Sequence, residues 1–164
     1  MSREKIRHER SREAQGKRAG FASQAVAMAL DLVSVLAVYF ALLLLFGGLR
    51  FVVTDSPFSM PQPGKGVNGA LLLAVGWFVL AGAWSSSGRA PGMAVVGLRV
   101  VSPDGDLLRT GQSRLRAVLV VFTLGLGVVT VLFSRRNMSL YDMICKTAVV
   151  YAWRPGLAES RQNQ

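Results

Sequence analysis

Arg18, Asp31 and Asp142 are charged residues set where charge is costly or crowded, and each therefore asks for a partner. Asp31 lies in the middle of "KRAGFASQAVAMALDLVSVLAVYFALLLLF", residues 17–46, which is otherwise almost wholly apolar. Insertion scales put an Asp at the centre of a spanning helix at about +2.5 to +3.5 kcal/mol, so this carboxylate must face protein or water. On a regular helix its face holds Gln24, Ala27 and Met28 before it and Ser34 and Val38 after it. Such a stripe of small and polar groups suits either an ion or proton site, with Asp31, Gln24 and Ser34 as its residues, or a close helix–helix contact. Arg18 does not serve as the partner. Thirteen residues of helix put it roughly 20 Å away along the axis and about 220° round it. Polar side chains within the other apolar runs are few: Trp77, Thr123 and Thr130.

Asp142 stands in "SRRNMSLYDMICKTAVVY" among Arg135, Arg136 and Lys146. A carboxylate in a basic cluster beside a membrane is ordinarily an ion-pair partner, with Arg18 or Arg99 as the expected mates. Arg99, Arg135, Arg136 and Lys146 then form a cytoplasmic ion-pair cluster around it. An unpaired guanidinium at Arg99, in a strand-like apolar stretch, would be awkward.

Catalytic machinery is missing from the sequence. It has no His–carboxylate metal set, no nucleophile with an adjacent base and no phosphate-cradling glycine loop. His8 is the sole histidine and Cys145 the sole cysteine, so neither an internal disulfide nor a thiol–metal cluster can form. Lys146 could depress the Cys145 pKa, but a lone thiol in a structural segment is the inert kind. No catalytic residue, metal or cofactor is expected, and the chain does not read as an enzyme.

The elements that must hold these residues are set by charge segregation. Apolar residues make up 51% of the 164 and charged ones 17%, yet seven of the nineteen Lys and Arg fall in the first eighteen positions. Bilayers impose this separation; soluble globules intersperse their charges. The net charge of +10 does not point to nucleic acid, because the cations flank apolar runs and no zinc-finger spacing, aromatic RNA-binding strand or basic heptad accompanies them. Three apolar segments result, about 19–46, 67–84 and 115–133. The first two are long enough to span about 30 Å of hydrocarbon. The third carries Arg116 near its start and a Gly125-Leu126-Gly127 break, and reads as a re-entrant hairpin or a third span.

Counting cations orients the chain. With the N-terminus inside and the third segment dipping back, all basic residues but Arg50 and Lys65 are cytoplasmic, as the positive-inside rule asks. "GLRVVSPDGDLLR" (97–109) and "KTAVVYAW" (146–153) read as short strands. They are useful only if paired on one side, as a cytoplasmic β-hairpin-like element. The expected architecture is an all-α membrane protein with that small addition: a basic cytoplasmic tail over 1–16, a membrane domain over 17–152 and a polar tail over 153–164. Its expected place is the plasma membrane, multi-pass, against anionic headgroups.

Arg18, Asp31 and Asp142, with "APGMAVVGLRVVSPDG" (90–105) and "RRNMSLYDMICKTAVVY" (135–151), resemble the RDD family of small bacterial and archaeal membrane proteins. The family is named for one arginine and two aspartates. Met93 stands where a basic residue usually follows Pro-Gly, and Cys145-Lys146 where Ala-Gly usually precedes Thr147. The resemblance implies an integral membrane protein with two clear spans and a role in transport, without naming a substrate. Two functions compete. One is transport of ions or small solutes using Asp31, which two spans could enclose only as a homo-oligomer. The other is a non-catalytic accessory subunit of a larger membrane complex, for which the small-residue faces Ala25/Ala29 and Gly66/Ala70/Ala74 suit close packing.

Overall fold

The computed structural model describes residues 18–54, 57–102, 106–133 and 138–152. The first helix, α1, runs from Phe21 to Thr54, eight residues past the expected end, because Gly47 and Gly48 do not break it. At 34 residues it is about 51 Å long, more than the hydrocarbon requires. Its buried residues are Gln24, Ala27, Asp31, Val35, Tyr39, Leu43 and Gly47, a stripe at spacings of three and four. The remaining faces are also apolar but exposed, with Val33, Phe40, Leu45 and Phe46 at half or more of their full exposure.

The second long helix, α2 (Lys65–Ser87), ends at Gly88, whose left-handed backbone (φ 69°) turns its N–H onto the Trp84 carbonyl at 3.1 Å. Tyr39 donates to Asn68 Oδ1 between the two helices. In each, only 22% of the most apolar stretch is buried. A core helix of a soluble protein would be mostly covered; these two present their apolar surface outward and are long enough to cross a membrane.

A six-residue helix, α3 (Pro91–Val96), follows, started by Pro91 and ended by left-handed Gly97. Strand β1 (Leu98–Val101) comes next, then α4 (Thr110–Phe122). The third apolar segment is not a continuous helix. Its 13-residue α4 spans about 20 Å, short of the hydrocarbon thickness. Leu124 and Gly125 then take left-handed backbones, and a 3₁₀ turn (Leu126–Val129) and a four-residue helix, α5 (Thr130–Phe133), complete it. The expected break at Gly125 is real, and its left-handed backbone (φ 79°) accounts for the glycine there. A Cβ there would lie 2.5 Å from the Met28 sulfur of α1.

Helix α6 (Leu140–Cys145) leads into strand β2 (Ala148–Tyr151), which pairs antiparallel with β1, Arg99 opposite Val150 and Val100 opposite Val149. The expected strands therefore form and pair antiparallel as a hairpin-like element. They are joined by the whole α4–α6 segment, and Arg18 adds a bridge to the free side of β2 at Val150. One buried cluster links Ala27, Val35, Trp84, Val100, Ala117, Tyr141 and Val149, so the sheet, α1, α2 and α4 share a core.

Candidate functional site

Asp31 is 6% exposed, and its Oδ1 accepts the backbone N–H of Gly92 at 2.6 Å. The first N–H groups of a helix have no partner within it, and a side-chain acceptor normally supplies one. Ala90, at the N-cap of α3, has no such side chain. Asp31 supplies the acceptor from another helix. Contact this close requires glycine: a Cβ on Gly92 would overlap the Ala27 carbonyl and approach Asp31 N to 2.6 Å.

The second buried charge is Arg116, 2% exposed on α4. One of its terminal nitrogens donates to Asp142 Oδ1 at 2.6 Å and to Thr147 Oγ1 at 2.5 Å. Thr147 in turn donates to the same carboxylate oxygen at 3.2 Å. The other oxygen, Oδ2, accepts the Ser139 N–H at 3.1 Å, while Ser139 Oγ accepts the Asp142 N–H at 3.2 Å. This reciprocal pair opens α6 as a capping box. The guanidinium carbon sits 5.2 Å from the Trp84 ring centroid and 6.0 Å from that of Tyr141. Tyr141 is itself fixed, its hydroxyl accepting the Gly127 N–H at 2.8 Å and sharing a hydrogen bond with Thr123 at 2.9 Å.

Between these groups lies a cavity of about 30 Å³, mostly apolar, whose lining includes Asp31, Gln24, Arg116, Trp84, Ser139 and Tyr141. It has room for one or two waters. Two donors of the lining, Arg116 Nε and Trp84 Nε1, are buried without a partner among the described residues. A buried unsatisfied donor costs roughly 1–3 kcal/mol, so both call for an acceptor. The side chains of Asp31, Arg116 and Trp84 border this mostly apolar space.

Other expected site residues are placed differently. Gln24 lines the cavity, but its amide donates to the Ala19 carbonyl at 2.8 Å. Ser34 is not brought in; its hydroxyl turns back to Leu30 O at 2.9 Å. Val38 lies off the buried stripe at 40% exposure. The polar side chains considered for Asp31 bond elsewhere: Trp77 to Arg114 O, Thr123 to Leu119 O and Thr130 to Gly127 O.

The expected partners of Asp142 are corrected too. Neither Arg18 nor Arg99 pairs with it, and Arg116–Asp142 is the one ion pair among the described residues. Both arginines belong to the sheet. Lys146 takes a left-handed backbone (φ 52°) as the C-cap of α6 and forms no ion pair among the described residues. Arg135 and Arg136 lie outside the described residues. Among the described residues Asp142 is held by a single buried pair, with Arg116. Cys145 is buried, and desolvation pushes its thiol up rather than down, against the opposing effect of Arg116.

Arg116 is the residue that the sequence pattern leaves inconspicuous. Its signal is present all the same, because an Arg beside "AVLVVF" is as costly in an apolar segment as Asp31 is in its own.

With the two aspartates and their contacts in place, one comparison decides the family. The RDD family profile matches residues 18–146. The chain belongs to the RDD family. No curated protein and no solved structure matches it. In this RDD chain Arg18, Asp31 and Asp142 sit apart in role: Arg18 in the sheet, Asp31 on the α3 N-terminus and Asp142 on Arg116. RDD membership and two outward-facing apolar helices together point to a membrane protein.

Proposed function

We propose that this RDD protein moves protons or small ions across the plasma membrane as a multi-pass homo-oligomer, with the cavity between Asp31 and Arg116 as its polar station. The observation that carries this reading is that two residues with buried unpartnered donors, Arg116 and Trp84, line the same small cavity as the carboxylate-bearing Asp31. Buried ionisable groups of that kind commonly mark ion and proton pathways. The N-terminus is cytoplasmic in this reading, and the segment 115–133 dips into the membrane and returns. Charge counting favours that path, and so does a helix α4 too short to cross. Two spans do not enclose a pathway alone, so further copies complete it. No cofactor and no nucleic acid take part.

Proteoliposomes loaded with a pH dye test the idea. Wild-type protein should collapse an imposed pH gradient faster than empty vesicles, and Asp31→Asn should remove the difference. Equal flux in the two proteins would sink it.

One observation supports an accessory subunit instead. Gly66, Ala70 and Ala74 form an exposed small-residue stripe on α2, open to close approach by another helix. Purification in mild detergent discriminates: a stoichiometric foreign subunit favours the accessory role, a homo-oligomer the transporter.

A further inference from the structure

The outward face of the sheet carries two arginines, Arg18 and Arg99, that the cavity and its ion pair do not use, and a third, Arg89, reaches the end of β2. Arg99 and Val150 are directly paired across β1 and β2, and Arg18 bridges Val150 from the other side. Directly opposed residues project to the same face, so Arg18, Val150 and Arg99 form a row there. Two strand spacings put the outer two Cα atoms about 10 Å apart, within the joint reach of two arginine side chains. The opposite face is the packed one, with Val100, Val149 and Ala19 buried.

Arg89 reaches the same edge from the segment after α2. Its terminal nitrogen donates to the Ala152 carbonyl at 2.6 Å, just beyond the end of β2. Arg99 runs toward it across the end of α2, where a Cβ on Gly88 would come within 3.2 Å of Arg99 Nε. That Nε is buried and has no partner among the described residues. The two guanidinium groups feel each other: burial lowers the Arg89 pKa, and the Arg99 charge lowers it further.

Arg89 and Arg99 are like charges close enough to act on each other, with Arg18 two strand spacings from Arg99, and such a set needs compensation. Among the described residues no carboxylate pairs with any of them. The C-terminus of α2 offers only about half a negative charge, against three positive ones. Arginine presents planar forks of N–H donors that match tetrahedral oxyanions. Arg89 follows Ser87, the last residue of α2, by two positions, which puts the cluster where a spanning helix meets water.

We propose that Arg18, Arg89 and Arg99 form a phosphate-binding site at the end of α2. The phosphate comes either from a phospholipid headgroup or from solution, and the chemistry of capture is the same. The site stands independently of the transport reading, since it touches neither Asp31 nor Arg116.

The test is native mass spectrometry of the full chain in detergent, titrated in separate arms with phosphatidylglycerol and with inorganic phosphate. Phosphatidylcholine, whose headgroup has no net charge, is the comparison lipid. Arg18→Gln and Arg99→Gln should each lower apparent affinity about tenfold, the scale of one charge-assisted hydrogen bond. Arg114→Gln removes an exposed cation from α4 and should leave binding unchanged. Loss confined to the phosphatidylglycerol arm assigns a lipid headgroup; loss in the phosphate arm alone assigns a soluble phosphate. Binding that falls no further in Arg18→Gln and Arg99→Gln than in Arg114→Gln overturns the site. Arg18 is exposed and ahead of α1, so Arg18→Gln keeps the test decisive even where Arg99→Gln disturbs folding.

Discussion

Asp31 accepts the Gly92 N–H at 2.6 Å, so a carboxylate on the first long helix caps a helix that begins some sixty residues later. Local caps come from the residue preceding a helix; this one is tertiary, and it holds α3 against α1. The same carboxylate lines the cavity, which couples the capping contact to the proposed polar station.

The two parts played by Asp31 separate by substitution. Asp31→Ala removes the acceptor and should cost about 1 kcal/mol, within the 0.5–2 range of lost caps. Asp31→Asn keeps an oxygen acceptor and should retain most of that stability while losing the charge. Thermal unfolding in detergent checks the ordering, wild type above Asn above Ala. Identical melting of all three would show that the cap contributes nothing.

Two glycine-to-alanine changes should act with opposite signs. Gly92→Ala drives a methyl group into the α1 backbone, at about 1–3 kcal/mol for overpacking. Gly82, on the exposed side of α2, has nothing within 4 Å of the new methyl group. Gly82→Ala should therefore stabilise, by up to about 1 kcal/mol from helix propensity. Melting temperatures of the two variants give the comparison directly. A Gly92→Ala protein as stable as wild type would mean that α1 and α3 can separate at little cost.

What the sequence reveals, and what it hides, follows from chemistry. The cost of Asp31 is legible because a carboxylate in an apolar run needs a partner whatever the fold. Its partner is not legible, since a backbone N–H looks the same at every residue. The one cue is indirect: "APG" starts a helix at Pro91 with Ala90, which cannot cap. Strands β1 and β2 are readable from their composition, and their pairing from the need to satisfy two backbones. The partner of Asp142 is hidden because Arg116 looks like the edge of an apolar segment rather than a buried charge. Proximity in sequence favours Arg135, Arg136 and Lys146; burial favours Arg116, the one fully buried arginine among the described residues.

The Arg116–Asp142 pair should show strong coupling. Asp142→Asn leaves a buried guanidinium uncompensated and should cost about 3–5 kcal/mol. Arg116→Met leaves the carboxylate uncompensated, at a similar cost. The double variant removes both charges and should lose less than the sum of the singles, by roughly 1–3 kcal/mol. Chemical denaturation of the four proteins closes the cycle. Strict additivity would place the ion pair outside the interactions that hold α4 to α6.

Cys145 gives a pH-dependent readout of the same region. Its thiol is pushed up by burial first; Arg116 opposes that shift and Asp142 adds to it. A raised pKa means that the folded state holds the proton more tightly than the unfolded chain does. The thiol therefore favours folding below its unfolded value, and this contribution is lost as pH rises through the alkaline range. At neutral pH the folded chain should react slowly with iodoacetamide, and the rate should climb only in alkali or on unfolding. Arg116→Met removes the charge that opposes the shift, so the onset of labelling should move to still higher pH in variant protein that remains folded. Rapid modification of folded wild-type protein at neutral pH would instead mark Cys145 as an exposed thiolate, and would contradict the packing of α6 against α4.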